Sequence, residues 1–318
     1  MRGRVLLKKE IIARFVKDQK IPIMVYSEPY FSHFLMLYEK DFGTKSSYDM
    51  LVKTLESFDK EEEFLEEYYR VRDAVINAVE SLSAYQEFLG FDMSTYSGNE
   101  RKFKNVTKGD VYKLDNVGKF FVSIDMKTAN FQALRLHNPD LVFGCKTYDE
   151  FIARFTNLEY IRRSKYTRQV VFGNMNPKRQ VTIQRFYINE ILNSILDNKQ
   201  FAYLTADNLV TICNDEIVFE VDSLIPTVES KNIVRYVKEN YDIDVSVTSY
   251  KLNNIGGKDF FVQEKADGTI SFKKVPSVYF AQVYKKYKGE QVDDFDLAFY
   301  YEGYLSKFME PIFKDETD

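Results

Sequence analysis

The stretch LVTICNDEIVFEV, residues 209–221, sets two apolar runs on either side of Asn214 and Asp215. Asn and Asp tolerate the backbone angles of a tight turn. Ile217, Phe219 and Val221 alternate with Val218 and Glu220, as a half-buried strand requires. The stretch reads as a β-hairpin. A lone hairpin is marginal in water, so the rest of the chain must supply a sheet and a cover for it. The hairpin also raises a chemical question, because its tip carries the carboxylate of Asp215.

Other segments show both periodicities. KEEEFLEEYYRVRDAVINAVESLSAYQEFL, 60–89, has apolar residues at 3–4 spacing and an acidic start, which predicts a helix. IPIMVY, 21–26, predicts a short buried strand. The polar stretch TYSGNERKFKN, 95–105, marks a boundary. VYKLDNVGKFFVSID, 111–125, predicts a hairpin turning at Asp115–Gly118 and closing on Asp125, with TANFQALRL, 128–136, as a helix after it. Helices are expected in YDEFIARF (148–155), YIRRSKYTRQVVFG (160–173) and NPKRQVTIQRFYINEILNSIL (176–196), with Pro177 near the start of the last. Strands return over 201–222, a helix over 230–241, and a hairpin over 258–275 with its turn at Asp267–Gly268. Three regions follow: a mainly helical 1–110, a sheet with inserted helices (148–200) over 111–225, and a small α/β region over 226–318. The order of elements is α+β rather than a regular βαβ array.

Composition narrows the chemistry. Hydrophobic residues are 45% of the 318, enough for a large core, and no apolar run approaches the roughly 18 residues that span a bilayer. The basic start MRGRVLLKKEIIARF is too charged for a signal peptide, so a cytoplasmic protein with no membrane partner is expected. Two cysteines, Cys145 and Cys213, and two histidines, His33 and His137, leave little for a zinc site, and His137 and the cysteines read as structural. A metal would sit on carboxylates, which suits Mg²⁺ or Mn²⁺. There is no G-x-G-x-x-G, and GCKT, 144–147, lacks the upstream glycine of a P-loop. Net charge is −4, yet residues 161–185 hold seven Lys or Arg and no acid: Arg162, Arg163, Lys165, Arg168, Lys178, Arg179 and Arg185. Asp293, Asp294, Asp296, Glu310, Asp315, Glu316 and Asp318 balance them near the C-terminus.

Three segments form a set. FFVSIDMKTANFQALR, 120–135, is a strand ending in Asp125 and turning into a helix. RRSKYTRQVVFGN, 162–174, is a basic helix. The third is the hairpin with Asp215. Two carboxylates at strand ends can hold a pair of divalent ions about 3.5–4 Å apart, as phosphoryl transfer uses. A basic helix can neutralise a nucleotide's phosphates.

Together, DMKTANFQALR, SKYTRQVVFGNMN and CNDEIVFEV resemble, in the same order, three motifs of the polymerase I-like (family A) nucleic acid polymerases. Those are a palm strand of the D-Y-S-Q-I-E-L-R type, a fingers helix of the R-x-x-x-K-x-x-x-F-G-x-x-Y-G type and a palm hairpin of the V-H-D-E-L-V-F-E-V type. The likeness covers roughly residues 118–222. It implies a palm-like antiparallel sheet with a helical fingers insertion, a thumb-like helical N-terminal region and a C-terminal accessory region. It implies that Asp125 and Asp215 are catalytic and bind Mg²⁺ or Mn²⁺. Lys165, Arg168 and Asn130 would meet a nucleoside triphosphate, and Arg162, Arg163, Lys178 and Arg179 would meet DNA or RNA. The chain has Asn214 where the family has His, Asn130 where it has Glu, Asn176 where it has Tyr and Arg168 where it has Lys. The change at 130 bears on ribose against deoxyribose.

Each feature has a plainer reading. Asp125 suits a helix N-cap, Asn214–Asp215 suits a turn, and a basic run suits a solvated face. Glu216 alternates away from Asp215 and is an auxiliary group at most. The function expected is metal-dependent nucleotidyl transfer. The alternatives are a catalytically inactive palm-like scaffold that binds nucleic acid or a protein partner through its basic helix, and an assembly protein that binds neither.

Overall fold

Apolar residues at helical spacing dominate the first ninety positions, and they fold accordingly. The computed structural model describes residues 8–103, 106 and 111–313. The basic start MRGRVLL and Asp315, Glu316 and Asp318 lie outside these, as does the end of the 95–105 stretch. Helices α1 (Lys9–Gln19), α2 (Tyr30–Leu37), α3 (Glu39–Phe42), α4 (Thr44–Leu55), α5 (Glu61–Glu80) and α6 (Ser83–Gly90) build the N-terminal region. On α5 the buried stripe is Phe64, Tyr68, Val71, Val75 and Val79, and Glu61, Glu62 and Glu63 face its positive end. Each such large apolar side chain contributes about 1.5–3 kcal/mol by leaving water.

Two expectations fail here. The 60–89 helix is broken, because Leu82 is extended (φ −72°, ψ 139°) between α5 and α6. Residues 21–26 form no strand. Ile21, Ile23 and Val25 are buried, but they fill the helical core, where no strand edge is offered.

The second half holds β1 (Phe120–Met126), α7 (Ala129–His137), α8 (Tyr148–Ala153), α9 (Glu159–Arg163), α10 (Lys165–Gly173) and α11 (Pro177–Asp197). Then come β2 (Leu209–Ile212), β3 (Glu216–Val221), α12 (Thr227–Tyr241), β4 (Val245–Asn254), β5 (Phe261–Lys265) and β6 (Ile270–Lys273). The chain ends in α13 (Phe280–Lys288) and the hairpin β7 (Ala298–Tyr301) and β8 (Tyr304–Lys307). Pro177 is in the first turn of α11, behind the Asn176 N-cap. The helix expected over 160–173 is two helices, because Ser164 is extended and caps α10 instead.

Six strands form one antiparallel sheet in the order β2-β3-β1-β4-β5-β6. Taken with α11 and α12, strands β1 to β4 follow the split βαβ order, in which the two central strands are the first and third. The sheet crosses the boundary drawn at 225, because β4 pairs along the whole of β1. This also explains why 111–119 is not the first arm of a hairpin. Strand β1 already has β3 on one edge and β4 on the other, so no edge remains. Residues 114–116 make a single 3₁₀ turn, and Val111 and Tyr112 lie over the sheet, where Gln263 donates to the Tyr112 hydroxyl at 3.2 Å.

The strand period separates the two faces. One carries Val122, Ile124, Met126, Ile217, Phe219 and Val245, packed under Ile188, Ile191 and Leu192 of α11 and Ile233 and Val237 of α12. The other carries Phe121, Val218, Tyr250 and Leu252 under Val111. Its far end is polar, with Ser123, Asp125, Glu216 and Ser246.

Candidate active site

Register brings the carboxylates together. Asp125 is the cross-strand partner of Glu216 on β3 and of Ser246 on β4. Directly paired residues of neighbouring strands share a face, so Glu216 stands beside Asp125. Sequence alternation had set Glu216 apart as an auxiliary; the pairing makes it a neighbour, and the signal was its parity with Asp125 across a strand pairing that local sequence does not state. Glu216 also accepts from the Ser123 hydroxyl. Asp215 lies in the bend just before β3, and its carbonyl accepts from the Met126 amide at 2.8 Å, which fixes the hairpin tip against the end of β1.

The electrostatics of this end are unfavourable. Burial, then the charge of Asp215, then that of Glu216 push the Asp125 carboxyl up to about 7, against the Ser246 hydroxyl and the charge of Lys273. Asp215 is also raised, by burial. Carboxylate and hydroxyl oxygens are the donor set of a hard divalent cation, and the uncompensated charge is what such an ion relieves. Asp125, Asp215 and Glu216 are oxygen groups of the kind Mg²⁺ or Mn²⁺ takes. Asp125 is no helix cap: α7 begins with Thr128 as its N-cap, and no side chain caps it.

Asn214 binds Arg185 of α11, whose Nη2 donates to its Oδ1 at 2.8 Å. The Asn130 Oδ1 accepts from Gln184 Nε2 at 2.6 Å, between α7 and α11. Its side chain is thus engaged in helix packing.

The basic segment divides. Arg162, Arg163 and Arg168 line one cavity of about 450 Å³, together with Lys127, Lys146 and Tyr148. Lys127 is two residues beyond Asp125, so the cavity opens beside the end of β1, while the carboxylates themselves are not part of its wall. Arg162 is ion-paired with Asp149, and Arg163 with Glu159 at 2.6 Å. Lys165 is exposed at the start of α10, and its charge, with that of Arg168, helps burial lower the Lys20 ammonium. Lys178 is exposed on α11. Arg179 is spent within the fold: its Nη1 donates to the Phe91 carbonyl at 2.7 Å, and its guanidinium lies 5.8 Å from the Phe88 ring centroid. A charge run does not reveal such a use, because the acceptor is a backbone carbonyl far away in sequence.

Helix α10 is anchored rather than free. The buried Asp18 of α1 accepts from Tyr68 (2.7 Å), Tyr160 (2.9 Å) and Ser164 (3.0 Å), the N-cap of α10.

Two other places compete for attention. Among the described residues, one trio, His33, Asp293 and Asp296, has ligand atoms within 4.8 Å of one another, and the carboxylates around Asp125 are spread wider. That trio is already neutralised, because the Lys285 ammonium bridges Asp293 (2.8 Å) and the buried Asp296 (2.6 Å). It clamps α13 and α2 together through His33. A cavity of about 730 Å³ lies at the opposite end of the sheet, and its lining includes Asp115, Asp207, Glu220, Asp222 and Glu229. Its charge is the wrong sign for a phosphate.

No helix of the described residues is long and apolar enough to cross a membrane. No protein-family model, curated protein or solved structure matches the chain.

Proposed function

We propose that the chain is a metal-dependent nucleotidyltransferase, a small palm-and-fingers enzyme acting on DNA or RNA with a nucleoside triphosphate. The observation that carries this reading is the junction of Asp125 and Asp215 at one sheet end. There burial, and after it the charges of Asp215 and Glu216, raise the Asp125 carboxyl to about 7 against the weaker pull of Lys273. Groups held in an unfavourable state by their neighbours concentrate at functional sites. Bound Mg²⁺ or Mn²⁺ would supply charge neutralisation at the attacking and leaving oxygens. Asp125 and Asp215 would hold it, Glu216 would stand next to Asp125, and Arg168 would take phosphate charge from the side of the fingers-like helix. Arg163, Lys165 and Lys178, all exposed, would track a nucleic acid backbone.

The test is incorporation of labelled nucleotides on a primer–template with Mg²⁺ or Mn²⁺. Wild type should extend the primer, and Asp215→Ala should lose about a thousandfold or more, the scale of removing an electrostatic stabiliser of the reaction. Equal inactivity of two folded proteins sinks the proposal.

The spread of the three carboxylates and the side-chain uses of Asn130 and Asn214 favour a second reading, a scaffold that binds nucleic acid without catalysis. It predicts steeply salt-dependent binding that EDTA leaves unchanged.

A further inference from the structure

Exposed apolar side chains gather at the end of the sheet opposite Asp125. Leu224, 38% exposed, lines the cavity of about 730 Å³ there, together with Val210, Val221, Ile225 and Pro226. Leu114 (60%), Val117 (38%) and Val228 (62%) stand exposed in the two chain segments that supply much of its lining. Single exposed apolar residues are ordinary, but a group of them around one concavity marks an interaction surface.

The charge among them indicates what covers it. Asp115, Asp207, Glu220, Asp222 and Glu229 are set against a single lysine of the lining, Lys113. Glu220 pairs with Lys119 at 2.9 Å, and the other four carboxylates have no ion-pair partner among the described residues. Such a lining repels phosphate and nucleic acid. It does not suit one metal ion either. Among the described residues, the trio with ligand atoms within 4.8 Å of one another is His33, Asp293 and Asp296, so these carboxylates are spread too widely for one ion to gather three of them. Negative charge spread among exposed apolar side chains is complementary to an extended cation that carries apolar groups along its length.

We propose that this end of the sheet docks a basic, amphipathic peptide segment of a protein partner. Its Lys or Arg side chains meet Asp115, Asp207, Asp222 and Glu229, and its apolar side chains cover Leu114, Leu224 and Val228. No metal or nucleotide takes part, so this docking does not depend on the nucleotidyl-transfer reading. Five residues of β3, about 17 Å, separate Val221 at this surface from Glu216 at the other end. A partner seated here leaves the Asp125 end open.

Fluorescence anisotropy with a labelled peptide of lysine and leucine at helical spacing tests the surface on the full chain. Wild type should bind it, and binding should weaken as salt rises. The same peptide with glutamate in place of lysine should not bind. Asp207 and Asp222 are exposed, and Asp207→Asn/Asp222→Asn should weaken binding about tenfold while Leu224→Ser weakens it several-fold, with melting temperatures unchanged. Absence of binding, or binding by both variants as tight as wild type, overturns the proposal. So does an equal loss in Glu56→Gln/Asp59→Asn, which removes two exposed acids of the helical region, because the attraction is then one of net charge. Spermine that competes as strongly as the peptide makes this a small-cation site and overturns it. Self-assembly in sedimentation that Asp207→Asn/Asp222→Asn disperses gives the surface to a second copy and overturns it too. A failed nucleotide-incorporation assay bears on the enzyme reading alone.

Discussion

Asp18 and Asp125 are both carboxyls that burial pushes towards the neutral form, and their surroundings answer that in opposite ways. Around Asp18 the fold supplies donors: two tyrosine hydroxyls, the Ser164 hydroxyl and the charge of Arg14 all favour the carboxylate. Around Asp125 it supplies two more carboxylates, opposed by one serine hydroxyl and the charge of Lys273. The first arrangement ties α1, α5, α9 and α10 into one body. The second leaves charge for something else to neutralise. Burial alone therefore does not mark a functional acid; the marker is burial beside like charge.

The sharpest way to break this contrast is to remove each acid in turn. Asp18→Ala strands the Tyr160 hydroxyl and the other donors in the core, and it should lower unfolding free energy by about 3 kcal/mol or more in urea denaturation. Loss of under ~1 kcal/mol would show that the network does not hold the helices together. Asp125→Asn removes a like charge and should instead stabilise the apo protein, by about 0.5–2 kcal/mol at pH 8, at the expense of function.

The pH dependence follows with a definite sign. The Asp125 carboxyl titrates at about 7 when folded and near its ordinary value of 3.8 when unfolded. Between those values the folded state holds the extra proton, so this group makes stability fall as pH rises from about 4 to about 7, with no further loss above. Asp125→Asn should flatten that decline in thermal melts. Mg²⁺ should raise the melting temperature of wild type at pH 8 more than at pH 6, since the ion competes with the proton, and the variant should lose most of that shift. An unchanged pH profile in Asp125→Asn would place the like-charge strain elsewhere.

The two regions also differ in how far their residues declare them. The hairpin tip at Asn214–Asp215, the β5–β6 turn at Asp267–Gly268 and Pro177 at the head of α11 are local signals, and each has its expected place. What stays hidden is long-range pairing. Nothing in VSVTSYKLNN says that β4 lies against β1 and displaces the expected first arm of the 111–125 hairpin. Nothing around Glu216 says that its partner is Asp125. Asp18 is hidden for the same reason, because its donors come from positions 68, 160 and 164. In the basic run, charge was legible but use was not: Arg179 holds a backbone carbonyl, while Arg168 faces a cavity whose other cations, Lys127 and Lys146, lie outside the run.

The smallest expected effect tests how the open end of the sheet is held in shape. Arg185 and Asn214 are both exposed, and their one hydrogen bond joins α11 to the hairpin tip. Its loss in Arg185→Ala should reduce stability by only about 0.5–1 kcal/mol. Asp215 is the next residue along, however, and its place depends on the same tip, which the Met126 amide holds from the other side. A tip free to shift by about 1 Å degrades a positioned group far more than it degrades the fold, by about a hundredfold in rate. Arg185→Ala and Asn214→Ala should then reduce nucleotide incorporation by a similar factor, with little change in melting temperature. The double variant should be no worse than either alone, since both break one bond. Additive losses would mean that Arg185 acts by its charge on a ligand rather than by holding the hairpin that carries Asp215.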